Sequence, residues 1–110
     1  MHLTVLAVPG CPNVSVLEDR LAAVLEGRPD VSVSREVISS ESDATRWGMH
    51  GSPTLLIGGV DPFAEPGQPP SMSCRLYRDD NGQAAGAPSA GQLRQVIERV
   101  WVEVAEPGTR

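Results

Sequence analysis

Apolar positions along this chain follow two periods. Leu3–Val8 is a short Val- and Leu-rich run closed by Pro9-Gly10, the pattern of a strand buried on both faces. Val14, Leu17, Leu21, Val24 and Leu25 then fall at i, i+3, i+7, i+10 and i+11, one stripe of an amphipathic helix that leaves Glu18, Asp19, Arg20 and Glu26 to water. Gly27 and Pro29 stop that helix. Val31, Val33, Val37 and Ile38 predict a second strand, parallel to the first through a right-handed crossover. Ser40 is placed to cap a short helix over Glu41–Trp47, ended by Gly48. Thr54–Ile57 predicts a third strand, with Pro53 as its first residue.

The stretch Asp61–Ser71 holds four prolines and one glycine, so it predicts a long loop. Ser73–Arg78 alternates as a fourth strand, with Met72, Cys74 and Leu76 on one face and Arg75 and Tyr77 on the other. Asp80-Asn81-Gly82 is a turn signal. Ser89 and Gln92 form a capping box for the last helix, whose stripe is Leu93, Val96, Ile97, Val100, Trp101 and Val104. The Pro-Gly-containing segment 105–110 predicts a flexible tail after a single domain over residues 1–104.

The chain has 110 residues, 40% of them apolar and 21% charged, enough for one core. A formal charge of −5 without any Lys/Arg cluster argues against nucleic acid as a partner. The sequence has no apolar run of membrane-spanning length, so no membrane partner is expected. It opens directly in a strand pattern, without a basic and apolar leader, which reads as a cytoplasmic protein. With few aromatic residues, aliphatic side chains must fill most of the core; Trp47 and Trp101 stand at helical packing positions.

Candidate chemistry centres on Cys11. The Pro-Gly turn delivers it to the start of the first helix, and Pro12 suits the first helical position, where a missing N–H costs nothing. A thiolate at or near the N-cap is favoured by free helix N–H groups and by the dipole. The alternative is a small apolar residue filling a strand-to-helix corner. Cys74 reads either as a core residue beside Met72 and Leu76 or as a second thiol reaching the Cys11 loop. His50 is either a surface residue or an imidazole close enough to assist a thiolate. Asp61 is placed to cap a turn, with proton donation as a remoter role, and Phe63 to anchor the long loop.

The order βαβ, short helix, then strand, strand, helix resembles the thioredoxin fold. Val8-Pro9-Gly10-Cys11-Pro12-Asn13 resembles that superfamily's active-site loop. Trp47-Gly48-Met49-His50-Gly51-Ser52-Pro53-Thr54 resembles its Gly-x-Pro-Thr segment, and Gly86–Leu93 its approach to the final helix. The resemblance implies an α/β fold with a mixed four-stranded central sheet flanked by helices. It implies a cis Pro53 facing Cys11, with the backbone N–H and C=O of Ser52 free to pair with an extended thiol substrate. The dithiol pattern Cys-x-x-Cys is interrupted here, because Val14 stands where the second cysteine would be. What remains is a monothiol, whose chemistry is mixed-disulfide formation with a partner protein or a low-molecular-weight thiol.

On this resemblance Cys11 and Cys74 are the candidate catalytic residues. Pro12, His50, Ser52 and Pro53 are the candidate substrate-binding ones. No resident cofactor or metal is expected, with glutathione as a candidate co-substrate. The combination with Asp61-Pro62-Phe63 and Ser73-Cys74-Arg75-Leu76-Tyr77 is also similar to small thioredoxin-fold proteins labelled alkylmercury lyase. That label implies soft-metal chemistry with Cys11, Cys74 and Asp61 as the available set. A non-catalytic interaction module is the third alternative.

Overall fold

The first strand, β1 (His2–Ala7), is buried at every position from Leu3 to Ala7. It leads to α1 (Val14–Val24), β2 (Ser32–Val37) and α2 (Glu41–Trp47), followed by β3 (His50–Ser52) and β4 (Thr54–Ile57). After the long loop come β5 (Ser71–Cys74), β6 (Tyr77–Arg78), β7 (Ala84–Ala85) and α3 (Ala90–Ala105). This computed structural model describes the backbone of residues 1–105 and the side chains of residues 1–100. The expectations for Trp101, Val104 and residues 106–110 lie outside that range.

The protein is a mixed α/β structure in which β1 is the middle of a three-stranded sheet ordered β2-β1-β4. β1 runs parallel to β2, from His2 opposite Ser32 to Ala7 opposite Val37. It runs antiparallel to β4, from Leu3 opposite Ile57 to Leu6 opposite Thr54. Alternation divides the core. Leu3, Val5, Ala7, Leu55 and Ile57 face α1 and α3, where Leu17, Leu21, Leu93 and Ile97 meet them. Leu6 and Leu56 face the other way, onto Ile38, Ala44 and Met49. The continuous apolar run of β1 follows from this covering on both faces.

Local signals operate as the sequence predicts at several places. Ser40 Oγ accepts from Asp43 N at 3.2 Å, and Gly48 ends α2 in the left-handed conformation at φ 74°. In the capping box, Ser89 N donates to Gln92 Oε1 at 2.9 Å while Gln92 N donates to Ser89 Oγ at 3.1 Å. Asp61 Oδ1 accepts from Phe63 N at 2.9 Å, the expected turn cap.

Four expectations need correction. α1 begins at Val14 with Asn13 as its N-cap, so Pro12 is not its first residue and Cys11 lies two residues before the cap. The reason is the Val8–Cys11 turn, closed by Cys11 N to Val8 O at 3.2 Å with Gly10 at φ 73°, followed by a second turn at Pro12-Asn13. The expected second strand is present as β2, on an exposed edge: Val33 and Val37 are 44% and 56% exposed, and Ile38, just beyond it, enters the core. Trp47 is 38% exposed rather than packed.

The remaining two concern the predicted fourth strand. It is split into β5 and β6, so the central sheet has three strands. β5 pairs with β3, while β6 pairs with β7 in a hairpin. Its alternation is real but inverted. Arg75 and Tyr77 are buried, whereas Cys74 is exposed and Leu76 is 74% exposed, so Cys74 is not a core residue. Among the described residues, no helix is long and apolar enough to cross a membrane.

Candidate thiol site at the cis-proline corner

β3 and β4 meet at a sharp corner made by Ser52 and Pro53, whose peptide bond is cis. Pro53 is buried, and its carbonyl accepts the Tyr77 hydroxyl at 2.5 Å. Ser52 faces the other way, and its Oγ accepts from Val8 N at 3.1 Å. Val8 begins the turn that carries Cys11, so a single hydrogen bond fastens the proline corner to the cysteine turn. Cys11 is half-buried at the margin of the α1–α3 core. α1 follows it with no acidic residue in its first turn and no capping hydrogen bond from Asn13, so its positive end faces the thiol side uncompensated by its own cap.

Beneath the corner lies a buried polar cluster. Asp61 Oδ2 accepts from Arg75 Nη1 at 2.7 Å, and the two side chains are only 3% and 5% exposed. His50 Nδ1 lies 2.8 Å from the same carboxylate oxygen. Arg75 also donates from Nη2 to Phe63 O at 2.8 Å and from Nη1 to Thr54 Oγ1 at 3.4 Å. Its guanidinium carbon stands 4.6 Å from the centre of the Tyr77 ring, in cation–π range. The Phe63 ring meets Tyr77 edge-on at 5.6 Å, holding the long loop to the core.

Burial raises the Tyr77 phenol well above its ordinary value. The Arg75 guanidinium pulls against this, and negative charge at Asp61 and at Cys11 adds to it.

The sequence-derived site residues separate into groups. Ser52, with Pro53 beside it in the chain, is bonded to Val8 at the start of the Cys11 turn, and Pro12 follows the thiol. Cys74 sits on β5 with its Cα opposite that of Ser52, on the exposed side of the strand. His50 belongs to the Asp61–Arg75 cluster by its hydrogen bond.

Ser52 itself requires a correction: its carbonyl accepts from Arg75 N at 3.1 Å and is not free for a substrate strand. Arg75 and Tyr77 were missed as supports of the site. Their shared alternation was the available signal, but it did not say which face turns inward. Comparison with protein-family models, curated proteins and solved structures returns no match.

Proposed function

We propose that this is a thioredoxin-like monothiol protein whose reactive group is Cys11. Its reaction is thiol–disulfide exchange. The Cys11 thiolate attacks one sulfur of a partner disulfide, a Cys11–S bond forms, and the other partner sulfur leaves as a thiolate. The partner is a protein disulfide or a small one such as oxidised glutathione. With Val14 in place of a neighbouring thiol, the mixed disulfide persists until another thiol takes the adduct.

The observation that supports this reading is the tie between Ser52 Oγ and Val8 N, which fastens the cis-proline corner to the turn that carries a half-buried thiol. An intact-mass experiment with oxidised glutathione tests it. The protein gains one adduct that maps to Cys11, and Cys11→Ser gains none there. A folded protein left unmodified at Cys11 would overturn the reading.

A second reading is soft-metal or organomercury binding by Cys11 and Cys74. It is favoured by the register that sets Cys74 opposite Ser52. It requires both thiols in one site, so Cys11→Ser and Cys74→Ser must each weaken Hg(II) binding. Full affinity in either variant would exclude a shared site.

A further inference from the structure

The backbone that precedes Pro53 is committed within the chain. Met49 O accepts from Ser71 N at 2.8 Å, and Ser52 O from Arg75 N at 3.1 Å. Gly51 O accepts from the Thr54 hydroxyl at 2.5 Å, and His50 N donates to Thr54 Oγ1 at 3.2 Å. β5 thus lies along the edge of β3 where an added strand would have to pair, with Cys74 opposite Ser52.

The contact is tight. A Cβ on Gly51 would come within 2.8 Å of Arg75 Cβ and 3.1 Å of Ser73 O. It is also locked from below, because the residue that donates to Ser52 O is Arg75, held by Asp61, Phe63 and Thr54. Opening the edge would expose Gly51 and pull a buried guanidinium away from its carboxylate.

Resting on the monothiol reading above, we infer that Cys11 takes extended polypeptide disulfides no better than small ones of glutathione size. An extended chain gains affinity at a strand edge through main-chain hydrogen bonds, and here the carbonyls of Met49 and Ser52 are already taken by Ser71 N and Arg75 N. A small disulfide needs only access to the sulfur, which half-burial of Cys11 on an outer turn provides. Each exchange balances in the same way: one Cys11–S bond forms, one partner S–S bond breaks, and one partner thiolate is released.

The test compares second-order rates of adduct formation at Cys11 with two probes. One is oxidised glutathione; the other is the disulfide-linked dimer of a short linear peptide long enough to pair as a strand. Each rate is divided by that of N-acetylcysteine with the same probe, which removes intrinsic differences in reactivity. The normalised rate with the peptide should stay below about threefold that with glutathione, because no pair of backbone hydrogen bonds, worth about tenfold or more, is left to favour it. In parallel, the Arg75 amide should exchange slowly with deuterium, as expected of a committed donor.

A normalised peptide rate more than about threefold above the glutathione one would overturn the inference while leaving thiol chemistry at Cys11 intact. An Arg75 amide exchanging like an exposed one would also overturn it, because the edge would then be open. No adduct with either probe would refute the monothiol reading and the inference together.

Discussion

Replacing Arg75 by methionine removes the cation from the cluster beneath the proline corner while keeping much of the side-chain volume. The carboxylate of Asp61, 3% exposed, would lose its partner at 2.7 Å and retain His50 and the Phe63 amide. Breaking a buried ion pair from one side costs about 3–5 kcal/mol, because the remaining charge stays desolvated. Loss of the contact with the Tyr77 ring adds about 0.5–2 kcal/mol. Against a total stability of about 5–15 kcal/mol for an ordinary domain, this is a large fraction.

Urea unfolding followed by circular dichroism measures the effect. Arg75→Met should shift the midpoint far down with little change in slope. With Asp61→Asn as the other single variant, Asp61→Asn/Arg75→Met should be less destabilised than the sum of the two singles by about 0.5–3 kcal/mol, the coupling expected of groups in direct contact. A single variant within about 1 kcal/mol of wild type, or a double variant equal to the sum of the singles, would refute the cluster as the support of the corner.

Three further outcomes follow from the same geometry. Gly51→Ala places a Cβ within 2.8 Å of Arg75 Cβ at a φ of 114°, and should lower stability by about 1–3 kcal/mol in thermal unfolding. Tyr77 is the only tyrosine, so phenolate absorbance reports it alone. Burial raises its folded value, so its stabilising contribution is complete below the ordinary value of 10.0 and is lost as pH rises through the folded one; phenolate should appear only with alkaline unfolding. Glu18 is the opposite case. The hydrogen bond from Arg35 lowers its value, so its small surface contribution is present above 4.5 and fades as pH falls through the folded value; Glu18→Gln should flatten the acid limb of stability.

Where structure is set by neighbours in the chain, the sequence was sufficient. The buried run of β1, the stripe of α1, the Ser40 and Ser89 caps and the Asp61 turn depend on spacing over a few residues. The cis Ser52–Pro53 bond had no local signal and was expected only through the family resemblance. The polar cluster was hidden for a different reason. Alternation over 72–77 defined two faces, but a cation such as Arg75 is normally assigned to water unless a buried partner is known. That partner, Asp61, is supplied across a proline-rich loop whose path the sequence does not specify. The same inversion put Leu76 outside and turned β5 against β3 instead of beside β4. β2 sits at an edge of the sheet where little covers it, so its valines stay largely exposed.

The central claim is that the fold makes Cys11 the reactive thiol. It is tested most directly with two single-thiol forms, Cys74→Ser and Cys11→Ser, each reacted with oxidised glutathione when native and again in unfolding concentrations of urea. The account predicts that the remaining Cys11 reacts faster in the native protein than in the unfolded one, while the exposed Cys74 reacts at nearly the same rate in both. Native Cys11 reacting no faster than its unfolded form would contradict it.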